Sequence, residues 1–460
     1  MENSQNVKPQ DGLPFPFQTL SDTKRFFARK TTDPLSGAFS EKFVIHAGQS
    51  GSIVKDLTLD LFSSLLSGDQ KPLGLYIHIP FCMNHCLYCG FAGQFPKADL
   101  INHYADALIS ELIYLSSSKV AKGPVRTVYL GGGTPSCLDP EKLKELIATI
   151  KNGFHLANDC ELTLEGAIHD FTPERIDGFL EAGFNRFSLG IQTFDTGIRK
   201  SLGRRSKSAE AIGRLEDLVS RSMAAVIIDL IYGLPGQSCS IFLRDLDIAC
   251  GIGIDGLDTY QLNVFSKGEL IKAVESGKIE APAPLAAQGR YYALGYDYLL
   301  AKHWKPLSLS HYSRTSRERN IYNPWAKSRQ NCLGVGAGAG GFLAGHAYFK
   351  LPQVEKYLKS AVQGEFAPDF ITRPPKTEEL ASYIVAQTEE GYLDFADLSK
   401  RFGVDQSIFT PFFDNWKEAG LVEIYDGWLL FTVAGRFWGV NLSQAVVELA
   451  ANAFFEAKGE

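Results

Sequence analysis

The feature that most constrains the fold of this chain is a rhythm that sets in near residue 73, where short apolar runs begin to alternate with longer stretches of helical period. The strand candidates are "LYIHI" (75–79), "RTVYL" (126–130), "ELTLEG" (161–166), "NRFSLGIQ" (185–192), "AAVIIDLIYG" (224–233) and "LDTYQLNV" (257–264). Helical stretches lie between them, such as "ADLINHYADALISELIYL" and "DPEKLKELIATI". Strands this apolar are covered on both faces, so six strand–helix units predict a parallel sheet wrapped in helices, a barrel or part of one. In such folds chemistry sits at the C-terminal ends of the strands, where most of the polar residues named below fall.

The flanks differ. Residues 1–70 are irregular and rich in polar and turn residues, and are read as an N-terminal extension that wraps or precedes the core. The barrel and a substrate-site extension are expected over 71–365. Paired prolines and charge in "GEFAPDFITRPPKTEEL" then mark a boundary. Beyond it, over 375–460, helices precede "LVEIYDGWLLFT", two strands about an Asp-Gly turn. That pattern suggests a small winged-helix-like α+β domain.

The densest chemistry is "CMNHCLYCGF", with Cys82, Cys86 and Cys89 spaced C-x3-C-x2-C. Three thiolates can hold a metal centre but cannot close a tetrahedral one. The residues alone leave three readings: buried structural thiols, a zinc site completed by His78 or Cys137, or an iron–sulfur cluster with one iron left open. No second C-x2-C or H-x3-H pair is present for zinc.

Bulk properties narrow the class. Of 460 residues, 45% are hydrophobic, as in an ordinary globular protein. Five of the eight cysteines are scattered outside the cluster, which argues for a reducing compartment, hence the cytoplasm, over a disulfide scaffold. The first residues show no basic stretch followed by an apolar run, and no apolar run approaches the ~18 residues of a membrane span. A net charge of −6 disfavours a nucleic-acid partner. A DNA-binding winged helix is the alternative from another class, but "TPFFDNWKEAGLV" carries more acid than base. "GVGAGAGGF" (334–342) lacks the strand–helix context of a dinucleotide site and reads as a close-approach loop at the barrel mouth.

"YIHIPFCMNHCLYCGF", followed in order by "YLGGGTPS", "RFSLGIQTFD" and "IDLIYGLPGQ", resembles the radical S-adenosylmethionine (SAM) enzymes. The match is to the branch containing oxygen-independent coproporphyrinogen III dehydrogenase, haem chaperones and anaerobic haem-degrading methyltransferases. The resemblance implies a partial (β/α)6 TIM-like radical SAM barrel. It implies a 4Fe–4S cluster on Cys82, Cys86 and Cys89, whose open iron chelates SAM and yields a 5′-deoxyadenosyl radical. Gly132, Gly133 and Thr134 would let the methionine moiety approach closely. Glu165 and Gln192 would bond amine and ribose, Arg204 the carboxylate and Asp229 the ribose hydroxyls. Asn263 would also contact the cofactor, and Tyr76 would lie near the sulfonium with a catalytic role. A second SAM would lie near Tyr88, Gly133 and Thr134.

The dehydrogenase carries a further cysteine two places after the last ligand; here that residue is Phe91. Segments such as "YQLNVFSKGELIKAVESGKI" and "SHYSRTSRERNIYN" instead resemble the anaerobic haem degraders, also called anaerobilin synthases. That resemblance implies methylation and opening of haem with release of iron, with the dehydrogenase and the chaperone as alternatives. Haem would be the substrate, and reduced flavodoxin, ferredoxin or another donor the source of electrons. A haem carrier protein is a further candidate partner. His311 is expected as iron ligand or proton donor, and Arg314, Arg317 and Arg319 as propionate anchors.

Overall fold

The structure is a computed structural model that describes residues 23–43, 53–54, 58–90, 93–96, 98–265 and 268–456. Six strands follow one another as parallel neighbours: β1 (Leu73–Ile79), β2 (Val125–Gly132), β3 (Leu156–Gly166), β4 (Arg186–Gln192), β5 (Ala225–Tyr232) and β6 (Gly256–Gln261). Burial on both faces explains their apolar sequences; all but one residue of β5 is buried.

Crossover helices separate them, including Ala98–Ser116, Pro140–Gly153 and Pro173–Ala182. The last shows how the sequence punctuates each unit. Thr172 caps the first turn by accepting from the Arg175 N–H, Pro173 starts the helix, and Gly183 ends it at φ 104°.

The sheet does not close. On the β6 side, β7 (His311–Ser313) pairs antiparallel. On the β1 side, β8 (Cys332–Val335) pairs parallel, followed by antiparallel strands Gly340–Leu343, His346–Phe349 and Phe370–Thr372. Between β7 and β8 the chain crosses under the barrel. There Ile321 and Tyr322 donate their N–H groups to Glu161 at 3.1 and 3.3 Å. The glycine-rich "GVGAGAGGF" bridges β8 and its antiparallel partner at the mouth. A Cβ at Gly338 would stand 3.3 Å from the His78 ring.

The C-terminal elements are helices Glu378–Glu390, Phe395–Phe402, Thr410–Glu418 and Gly439–Glu456 with a three-stranded sheet. Its hairpin, Val422–Tyr425 with Trp428–Phe431, turns at Asp426 and Gly427, both with positive φ, as a two-residue turn requires. Residues 23–43 pack on these elements. Trp416 donates to the Phe26 carbonyl at 2.7 Å and Trp438 to that of Pro34 at 2.8 Å. The architecture is a partial TIM-like barrel with an N-terminal extension and a winged-helix-like α+β part. No helix among the described residues is long and apolar enough to cross a membrane.

Candidate active site

A cavity of about 940 Å³ opens at the C-terminal ends of the strands. The loop after β1 brings Cys82, Cys86, Tyr88 and Cys89 to it, and β1 itself Tyr76 and His78. Gly132 ends β2, and Gly133 and Thr134 follow it. Glu165, Gln192 and Asp229 come from β3, β4 and β5; Arg204 follows β4 and Asn263 follows β6. One cavity thus gathers all the residues singled out for cluster or cofactor.

The three thiols are half-buried. Thr134 Oγ1 lies 3.6 Å from Cys82 Sγ, and a Cβ at Gly93 or Gly133 would stand 3.0 Å from that sulfur. Arg204 Nη1 lies 3.5 Å from Cys86 Sγ and 3.3 Å from the Tyr88 hydroxyl. Its other terminal nitrogen donates to the Gly190 carbonyl. A cation and hydroxyl donors beside sulfur, on a loop cleared of side chains, suit thiolates carrying an anionic cluster. The grouping of the described side chains tells against the zinc alternative. Among the described residues, no three or more His, Cys, Asp or Glu gather around one ion position. A 4Fe–4S cluster spreads its thiolates over separate irons and needs no such convergence.

The strand ends supply polar groups in unusual states. Glu165 accepts from the Tyr129 hydroxyl and, at 3.2 Å, from the Gly132 N–H, while burial raises its pKa. Burial, then the carboxylates of Asp258 and Glu165, raise Asp229 to about 8, so it carries a proton at neutral pH. Gln192 stands at φ 70°, in the left-handed region. Its Oε1 and Asn263 Oδ1 are buried without a hydrogen-bond partner. Such an orphan costs about 1–3 kcal/mol unless a ligand satisfies it. These open acceptors fit a cofactor rich in amine and hydroxyl donors. Tyr76 joins a stack in the barrel interior with Tyr129 and Tyr322, the latter two 4.2 Å apart.

Two expectations on the segment after β6 are corrected by the structure. His311 is buried beside a smaller cavity, its Nδ1 2.9 Å from Asp258 and its Nε2 3.0 Å from Glu318. Burial alone would lower its pKa, but the two carboxylates raise it to about 9. With both nitrogens occupied it cannot ligate iron. Arg314, Arg317 and Arg319 lie at the opposite end of the strands. Arg314 donates to the Cys250 carbonyl at 3.1 Å, and Arg317 pairs with Asp255 at 3.7 Å. Arg319 pairs with Asp159 at 3.3 Å. The cause is topological: to place β8 beside β1 this segment crosses the floor, where its arginines meet groups at the N-terminal ends of strands. The cavity instead receives Lys327 from the end of that same segment, and Lys42 and Arg436 from segments remote in sequence, which no local motif signalled.

A family model described as the radical SAM superfamily matches residues 76–247. Anaerobilin synthase of Escherichia coli O157:H7 is 38% identical over 377 residues, covering 82% of this chain and 84% of that protein. The chain belongs to the radical SAM superfamily. Membership brings a 4Fe–4S cluster and SAM as cofactors. This radical SAM protein is also 31% identical to heme chaperone HemW of Lactococcus lactis, over 64% of this chain and 75% of the relative. Among solved structures it resembles coproporphyrinogen III oxidase (HemN) from Escherichia coli, with a TM-score of 0.72 at 19% identity, covering 86% of this chain and 96% of that one. At that identity the likeness concerns the fold.

Proposed function

We propose that this radical SAM protein methylates and opens the haem ring without oxygen, giving a linear tetrapyrrole and releasing iron. The reading rests on the 38% identity to anaerobilin synthase, which spans 82% of the chain rather than the family core alone. Two further points support it. Phe91 stands where the dehydrogenase carries a cysteine, although that residue lies outside the described ones. The cavity is at the upper end of the usual range for small-molecule sites, about 300–1,000 Å³, with room for a cofactor and a second large ligand. A haem chaperone is the second reading, favoured by the identity to HemW; it would hold haem without opening it.

In this reading Cys82, Cys86 and Cys89 hold the cluster, which when bound supplies the electron that splits SAM homolytically. Gly132, Gly133 and Thr134 give the methionine end room. Arg204 turns its fork to the SAM carboxylate, and Glu165 accepts from the amine. Gln192 and Asn263 take ribose and adenine donors, and protonated Asp229 shares a proton with a ribose hydroxyl. Tyr76 offers its ring to the sulfonium, and Tyr88 contacts a second SAM. The barrel walls exclude water and hold the target close to the reacting carbon. Residues 71–365 form the catalytic unit, with 1–70 and 375–460 as its flanking parts. The electron donor is a reduced flavodoxin or ferredoxin, and a haem carrier protein delivers the substrate.

Anaerobic incubation with SAM, a reductant and haem tests the reading. Mass analysis is expected to show a methylated, iron-free open-chain product. Haem recovered intact while SAM is cleaved would reject ring opening in favour of the chaperone.

A further inference from the structure

We propose that Lys42, over the ring of Phe437, and Arg436, over the ring of Tyr296, form a carboxylate-anchoring subsite at the end of the cavity built by the two chain termini. The inference rests on the haem reading in naming its ligand: the two carboxylates at one edge of a flat, apolar tetrapyrrole.

The cavity is lined by four cations with different commitments. The Arg204 guanidinium is turned to Cys86, Tyr88 and Gly190. The Lys327 ammonium is 2.5 Å from the Glu389 carboxylate, which neutralises it. Lys42 and Arg436 are not matched in this way. Lys42 Nζ lies 4.6 Å over the Phe437 ring, and no carboxylate pairs with it among the described residues. Burial lowers its pKa to about 8, so it still carries its charge at neutral pH but gains from an incoming anion. Arg436 is 8% exposed. It donates to the carbonyls of Glu390 at 3.0 Å and Ser308 at 2.8 Å, which are neutral, and its buried Nε has no acceptor.

The cavity also offers surface that suits a flat apolar body: Phe437, Tyr292, Leu309 and Val440 line it. The Phe437 ring lies 5.7 Å from that of Tyr292. The subsite exists only because the strap of residues 23–43 is tied to the C-terminal elements. Asn441, five residues after Arg436, donates to the Glu41 carbonyl at 2.8 Å, beside Lys42. The barrel itself contributes the cluster loop and the strand ends, and the termini contribute the unmatched positive charge.

Anaerobic absorbance titration of the full-length protein with haem, and with haem dimethyl ester, tests this. Lys42→Gln is expected to weaken haem binding about tenfold or more, as for loss of one charge-assisted bond, and to leave the ester unchanged. Lys42→Arg is expected to restore haem binding. Arg436→Gln, which also loses its bonds to the Glu390 and Ser308 carbonyls, is expected to act like Lys42→Gln in the haem titration; if it fails to fold, the Lys42 pair alone decides. Wild-type protein that binds haem and its ester equally, or a Lys42→Gln variant that binds haem normally, overturns the anchor and leaves the haem reading standing. Carboxylate-dependent binding through Lys42 with haem never opened overturns the ring-opening reading and leaves the anchor standing. No tetrapyrrole binding by the wild-type protein overturns both.

Discussion

On the floor of the barrel, Arg186, Glu161, Glu318, His311 and Asp258 close into a net. Arg186 Nη2 reaches Glu318 at 2.9 Å, and Glu318 and Asp258 take both nitrogens of His311. At the mouth, Glu165, Asp229, Gln192, Asn263 and Arg204 are just as polar. Yet two of their oxygens lack partners and one carboxyl is held protonated. Both groups are sheltered from water, so the same physics bears on both. The floor is satisfied by protein and serves stability. The mouth is left incomplete, and incompleteness of this kind collects where a ligand is to complete it.

The comparison can be broken most sharply at the cysteines. Replacing Cys82, Cys86 or Cys89 by Ala is expected to abolish SAM cleavage and to cut bound iron far below the about four atoms per chain of the reconstituted protein. A variant retaining full iron and turnover would remove the mouth's cluster from the comparison. On the floor, Glu318→Ala leaves Arg186 and His311 buried without their counter-charge. It is expected to cost about 3–5 kcal/mol in denaturant unfolding, where an equal loss in Cys86→Ala is not expected.

At the mouth, Arg204→Ala and Asp229→Ala are expected to weaken SAM binding, by about 1.5–3 kcal/mol where a charged bond is lost, with iron content unchanged. Because Asp229 is protonated up to about pH 8, Asp229→Asn is expected to bind SAM nearly as well as the parent at pH 7. Calorimetric titration separates the two Asp229 substitutions, and equal losses would show that the carboxylate form is the one that binds.

The floor also carries its own pH dependence. His311 has its folded pKa raised from 6.5 to about 9, so its stabilising contribution is complete below pH 6.5 and is lost as pH rises toward 9. Burial opposes, but Arg186 and His311 outweigh it and depress Glu318 from 4.5 to about 2, so its contribution is complete above pH 4.5 and lost as pH falls toward 2. Unfolding free energy from these groups is expected to be greatest between about pH 4.5 and 6.5, and His311→Gln is expected to remove the alkaline part of that profile. The smallest effect is expected from Arg314→Ala, Arg317→Ala and Arg319→Ala. The three arginine side chains are themselves exposed, so each contact is worth about 0–1 kcal/mol, and haem affinity is expected not to move. A clear loss of haem binding there would return substrate anchoring to the floor.

The barrel was legible because its cause is local. Each strand is a short apolar run and several of the helices carry their own caps, as Asp139, Thr172 and Ser238 show, so the units can be read one at a time. The cofactor side was legible for the same reason. The cysteines share one loop, and Gly132, Glu165, Gln192 and Asp229 each sit at or near the end of a strand whose place in the order is set by the chain. The substrate side was not. "SHYSRTSRERN" has the composition of an anion site, but composition does not say which end of the barrel a crossing segment meets. That was decided by the pairing of β8 with β1, which draws the segment under the floor. Lys42 and Arg436 are almost 400 positions apart in sequence. The hydrogen bonds, ion pair and ring contacts that tie the N-terminal strap to the C-terminal helices bring them to one wall. Order along the chain determined the sheet and the cluster loop, because those depend on neighbours in sequence. The charge of the proposed anchoring subsite was decided by long-range packing, because it comes from segments whose only neighbourhood is spatial.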